Sequence, residues 1–202
     1  MRINLLSRIQ GILLRPIDEW TRIKEESLSV TQLFCSYVLI LAAVPPATRF
    51  LANLLYGHFI KPYSGWSWNV AGRDLFFSLM IYVFSLFVVF ISGRIINALA
   101  PVFSSRRNRI NAMKLVIFSM TPYWVGGVFY LIPQAGWILK ILISLYGIYI
   151  LYAGFAAGLM DTPKEKVVNY LAAGSLFIIV FIVSVEIMLK VLFAIWGISR
   201  IG

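Results

Sequence analysis

Apolar residues gather in five long runs separated by short polar connections: roughly Leu33 to Tyr56, Leu75 to Ala100, Ala112 to Ile132, Trp137 to Met160 and Tyr170 to Ile198. Each is long enough for a helix to cross a hydrocarbon core of about 30 Å, which takes about 20 apolar residues. Ahead of them Leu5, Leu6, Ile9, Ile12 and Leu13 recur at helical spacing, with Arg2 and Arg8 off that face. Pro16 opens a second short segment with Ile17, Trp20 and Ile23 on one side. The pattern predicts an all-α, polytopic membrane bundle of five transmembrane helices with N-terminal amphipathic helices on the membrane surface. Residues 1–32 form the cytoplasmic amphipathic segment and 33–202 the five-helix domain. The N-terminal pair is expected to be a surface anchor feeding the first span, the other reading being a docking site for a cytoplasmic partner.

The fourth and fifth runs meet at YILYAGFAAGLMDTPKEK, residues 149–166. Gly154 and Gly158, with Ala153 and Ala157 one residue earlier, would form a ridge of small side chains where backbones approach closely. Asp161 closes the run. Thr162 then reads as an N-cap, Pro163 as the first helical residue and Glu165 as the returning arm of a capping box.

Proline interrupts two spans. Pro45-Pro46 falls about 17 Å into the first, and Pro122 at nearly the same depth in the third. Proline removes a backbone donor, and the carbonyls it frees must be satisfied inside the protein. The two breaks either line a binding or permeation site, as broken helices do in transporters, or are kinks that help a small bundle pack.

Composition and charge sharpen this picture. Of the 202 residues 60% are apolar and 13% charged, and the mean hydropathy is +0.86. The net charge of +10 need not mean nucleic acid, because its distribution follows the positive-inside rule. With the N-terminus inside, the inner segments carry Arg2, Arg8, Arg15, Arg22, Lys24, Arg106, Arg107, Arg109, Lys164 and Lys166, against Lys61, Arg73 and Arg200 outside. The expected location is the inner, cytoplasmic membrane of a cell, crossed several times, with the C-terminus outside. The basic loop Phe103 to Arg109 is suited to anionic lipid or to an acidic partner. The outer loop, Gly57 to Asp74, is rich in aromatic residues that favour the interface between lipid and water.

Chemistry-bearing motifs are sparse. One cysteine, Cys35, and one histidine, His58, exclude a disulfide framework within the chain and argue against a Cys/His metal site. Nucleophile-elbow, zinc-protease and phosphate-loop motifs are missing, so neither catalytic residue, metal nor cofactor is expected. The intramembrane charges are the one constellation. Arg49, Lys140, Glu186 and Lys190 fall at similar heights, Arg49 and Glu186 both about 24 Å above the inner face. Either Lys140 and Lys190 snorkel to the outer headgroups while Glu186 pairs with Lys190, or Arg49 bonds Glu186 across the bundle.

Thr121-Pro122-Tyr123, then Tyr149, Tyr152, Gly154, Gly158, Leu159 and the Thr162 to Lys166 turn, resemble the Yip family of Ypt/Rab-interacting membrane proteins, in its prokaryotic form. The resemblance implies five spans, a cytoplasmic N-terminus and a non-enzymatic membrane-organising or trafficking-like scaffold that recruits partners. Eukaryotic relatives are associated with Rab-type GTPases. Here the short N-terminal segment and the missing Asp-Leu-Tyr-Gly-Pro run set the chain apart from that GTPase partnership. The expected partners are the lipid bilayer and a second copy or another membrane protein. The competing class is a small transporter, channel or lipid-handling subunit, resting on the mid-depth prolines and buried charges.

The orientation is open to a direct test in a Cys35→Ser background. A cysteine at Lys164 is expected to be shielded from an impermeant thiol reagent in intact cells and one at Ser64 to react. The reverse pattern would overturn the topology.

Overall fold

The computed structural model describes residues 4–56, 68–132 and 135–198, with side chains only in part near Trp68 and beyond residue 181. Two short helices, α1 (Leu5–Leu14) and α2 (Pro16–Glu25), form a hairpin. Asn4 caps α1, its side chain accepting from the Ser7 amide at 3.3 Å. Pro16 starts α2, with Asp18 and Glu19 in its first turn and Arg22 and Lys24 in its last, an arrangement that suits the helix dipole.

Four helical stretches among the described residues are long and apolar enough to cross a membrane: Val30–Leu54, Ala71–Phe103, Arg109–Leu131 and Gly136–Ala156. A further helix, α10 (Lys164–Ile198), runs for 35 residues and packs along α6 (Trp68–Leu99). There the Tyr170 hydroxyl donates to the Ile96 carbonyl. The third span is the axis of the bundle: 72% of its apolar window is buried, against 39, 22 and 33% for the others. Its first helix, α7 (Arg109–Ser119), is buried without interruption from Ala112 to Ser119, the signature of a helix surrounded on all sides.

Both proline-bearing spans are broken, each just ahead of its proline. The first runs as α3 (Val30–Leu33), a π turn (Phe34–Val38) and α4 (Leu39–Leu41), then turns at Ala42-Ala43 and restarts as α5 (Val44–Leu54) with Pro45 and Pro46 in its first turn. The third pauses at Met120, resumes as α8 (Thr121–Val125) with Pro122 near its start, and tightens into a 3-10 helix, Gly126–Leu131. The backbone donor that Pro122 lacks would have served Phe118. In its place the Thr121 hydroxyl donates to the Phe118 carbonyl at 2.7 Å, and the buried Tyr37 hydroxyl lies 2.8 Å from Thr121 Oγ1. Tyr82 likewise donates to the Leu39 carbonyl beside the first break, at 2.9 Å.

The two breaks close on one another. A Cβ on Gly127 would stand 2.7 Å from Pro45 Cα, and Thr48 Oγ1 bridges the Val44 and Gly127 carbonyls, 2.7 Å from each. The absent side chain of Gly127 is thus what allows the third span to lie against the first.

The fourth span departs from expectation at its C-terminal end. The helix α9 (Gly136–Ala156) stops four residues short of Met160, because Gly158 (φ 78°), directly after the Ala157 cap, takes the left-handed conformation that ends a helix. Gly158 is therefore a helix terminator and not part of a packing ridge. The expected cap at Thr162 is also replaced. Lys164 is the first residue of α10, and the Thr162 hydroxyl accepts from Ser105 at 2.9 Å in the facing turn. Pro163 lies outside the helix, its carbonyl accepting from the Lys166 amide at 2.9 Å, and Glu165 is exposed in the first turn.

Replacing Gly127 by Ala is expected to lower stability by about 1–3 kcal/mol through overpacking, seen as a fall in the thermal midpoint in detergent. Gly72→Ala, where an added Cβ meets nothing within 4 Å, should leave the midpoint unchanged or raise it. Equal responses would refute the close approach.

Candidate functional site

The N-terminal hairpin does not rest on the bundle from outside. Ile12, Trp20 and Ile23 are fully buried and share one core with Tyr37, Leu115, Phe118, Trp124 and Ile150. The apolar faces read from the sequence turn towards the spans at Ile12, Trp20 and Ile23, with Leu5, Ile9 and Leu13 half-buried, whereas Leu6 and Ile17, expected on the same faces, stay exposed. The hairpin is anchored there by Trp20, whose indole fits against Gly154, where a Cβ would come within 2.9 Å of the ring. Its Nε1 donates to the Ile150 carbonyl at 2.9 Å. A buried indole needs both an apolar bed and an acceptor, and α9 supplies both.

Around this anchor the aromatic rings meet edge to face. Trp20 and Phe118 lie 6.0 Å apart, Tyr37 and Phe118 5.1 Å, Tyr37 and Trp124 6.3 Å. Side chains from the hairpin, first span and third span thus interlock in one cluster.

A charge network closes the contact on its polar side. Arg8 donates to Glu19 at 2.6 Å and also to Glu26, and its guanidinium lies over the Phe118 ring, 5.5 Å from the centroid. Lys114, 2% exposed, donates to the carbonyls of Ile23 and Glu26 at 2.8 and 2.6 Å. These belong to the last turn of α2 and the residue after it, so a lysine from the third span caps the second helix of the hairpin. Arg8 and Lys114 balance Glu19 and Glu26 in a region with little access to water, where an unpaired charge would be costly, and the exposed Arg22 stands 3.7 Å from Glu19 at its edge. Tyr146 adds a bond to the Leu13 carbonyl at 3.2 Å and Lys24 one to Ala157 at 3.1 Å.

The arrangement is a structural clasp. It offers no nucleophile beside a base, and no group of three or more metal-ligating side chains occurs among the described residues.

The residues singled out in the sequence fall in different places. Gly154 receives Trp20 and Leu115; Gly158 ends α9 beneath the Lys24 ammonium, which would stand 3.1 Å from an added Cβ. Pro45, Pro46 and Pro122 mark the paired breaks. Arg49 is exposed on α5. Lys140 is 8% exposed and does not snorkel: its ammonium donates to the Tyr130 hydroxyl at 2.8 Å and lies 4.2 and 4.5 Å from the Tyr123 and Tyr130 ring centroids. Two aromatic faces stabilise the charge there. The side chains of Glu186 and Lys190 lie outside the described residues, as does the loop at 57–67.

Sequence reasoning overlooked Arg8, Glu19, Glu26 and Lys114 as a unit. The available signal was Lys114 itself, a charge two residues into an apolar run with no neighbour at i±4 to pair with.

The family model described as the Yip1 domain matches residues 11–186. No curated protein and no solved structure matches the chain.

Removing Arg8 alone, as Arg8→Met, strips Glu26 of its ion pair and leaves Glu19 only the longer contact with the exposed Arg22, at 3.7 Å, and is expected to cost about 3–5 kcal/mol. The double change Arg8→Met with Glu19→Met should be milder than the sum of the two single changes. Additive losses in thermal or denaturant unfolding would mean that the two charges do not act together.

Proposed function

The chain belongs to the Yip1 family, and on that premise we propose that it is a non-enzymatic scaffold that organises a membrane and recruits partners within it. The observation that carries this reading is the closure of the two helix breaks. Pro45 lies against Gly127 and Thr48 bridges the seam, while the Phe118 carbonyl that Pro122 frees is taken by Thr121, itself bonded to Tyr37 of the first span, so these polar groups are spent on holding spans together. A permeation site would need them turned towards a ligand.

The partners are a second copy or another membrane protein, met through lipid-facing helices such as α6, where Leu79 and Phe87 are 52 and 60% exposed. A soluble GTPase is disfavoured because the hairpin that would have to receive it is tied down by Trp20 and Lys114. The basic side, with Arg106, Arg107, Arg109 and Lys164, faces the cytoplasm of a cell's inner membrane, and the C-terminus lies outside. Positive charge is retained on that side during insertion.

A second reading, a small transporter or lipid-handling subunit, is favoured by Lys140, a buried cation between two tyrosines near the turn of the third and fourth spans.

Vesicles carrying the purified protein are expected to pass potassium, chloride and a small anionic dye no faster than empty ones, while a photo-crosslinker at Leu79 or Phe87 gives a discrete adduct in native membranes. Flux that disappears in Lys140→Gln would replace the scaffold by the transporter.

A further inference from the structure

Three segments far apart in sequence converge where the spans begin and end on the basic side. The turn after α6 and the turn after α9 are joined backbone to backbone, the Arg106 amide donating to Met160 at 2.9 Å. Ser105 bonds Thr162, Lys166 bonds Ser104 Oγ at 2.7 Å, and the Asn111 side chain donates to Leu159 at 2.7 Å. Lys24 of α2 reaches the same turn through Ala157. Ser104 (φ 55°) and Asp161 (φ 50°) hold left-handed conformations within the interlocked pair.

This ordered face is strongly cationic. Arg106, Arg107, Arg109 and Lys164 are exposed, and among the described residues none of them pairs with a carboxylate; the ion pairs found there all lie in the hairpin. Lys24 and Lys166 spend their donors on neutral oxygens, so their charges stay uncompensated. The neighbouring exposed acids are Glu25, Asp161 and Glu165, fewer than the six cations. Val102 is 70% exposed and Ile110 41%, one on each side of the arginines. Apolar side chains flanking cations at the ends of spans fit acyl chains below and phosphates above.

We propose that this face is a binding platform for the phosphate groups of anionic phospholipids. Arg106, Arg107, Arg109 and Lys164 contact the headgroups; Lys24 and Lys166 pin the turns that present them. Bound phosphates bridge the turn after α6 to the start of α10, so lipid charge stabilises the interlock itself.

The test uses the full-length protein in nanodiscs of phosphatidylcholine alone or mixed equally with phosphatidylglycerol. The wild type is expected to melt higher in the mixed discs and to retain phosphatidylglycerol over phosphatidylcholine on delipidation. Arg106→Gln, Arg107→Gln and Arg109→Gln together should abolish both effects, the preference falling roughly fivefold for each arginine removed. Arg73→Gln, at the other end of α6, should keep both. If the triple variant does not fold, Arg107→Gln alone carries the test, since this exposed side chain makes no hydrogen bond in the described structure. Inorganic phosphate added to phosphatidylcholine discs should leave the midpoint unchanged. Equal melting of the wild type in both discs, undiminished lipid preference in the arginine variants, or stabilisation by free phosphate or a polyglutamate peptide equal to that by phosphatidylglycerol would each overturn the proposal.

Discussion

A lysine in the middle of a fully enclosed helix must find its acceptors inside the protein, because neither lipid nor a packed core provides them. Lys114 finds them in the carbonyls at the end of α2. The third span can therefore be buried on every side only if the N-terminal hairpin is in place. Trp20 and the Arg8 network follow from that requirement. With Lys114 committed to the end of α2, the indole is brought onto Gly154 and the guanidinium over Phe118.

Close approach is used twice more, each time where a side chain is missing. Gly127 admits Pro45, and a hydroxyl from Thr48 occupies the seam. Gly147 admits the Ser119 carbonyl of the third span, which would stand 2.6 Å from an added Cβ. Small residues in membrane bundles let backbones meet where lipid supplies no hydrophobic drive between helices. In this chain they set the first and fourth spans against the third.

The proposed scaffold role rests on how these constraints use up polar groups. The hydroxyls of Tyr37, Thr48 and Thr121 and the charges of Arg8, Glu19 and Lys114 are engaged within the protein. Among the described residues, a cluster of cations that pair with no carboxylate, Arg106, Arg107, Arg109 and Lys164, lies on the face of interlocked turns. An architecture with a tied interior and a charged rim is suited to holding position in a membrane and meeting its lipids.

Several features were legible because they are local. Length and apolarity of each run set the spans, proline fixed where helices break, and the spacing of Leu5, Ile12, Trp20 and Ile23 gave the amphipathic faces. The family resemblance drawn from Thr121-Pro122-Tyr123 and the Thr162 turn agrees with the match over residues 11–186. The partner of each face was a different matter, since an apolar stripe is equally satisfied by lipid and by a neighbouring helix. Whether Trp20 sits at the headgroups or on Gly154, and whether Lys140 reaches water or two tyrosines, depends on residues more than a hundred positions away for Trp20 and on the fold of the adjoining 3-10 helix for Lys140. Gly158 shows the same limit: four residues after Gly154 it continues a helical ridge on paper, yet a left-handed backbone at that position removes it from the helix. Periodicity records which side of a helix is apolar, and only tertiary packing decides what covers it.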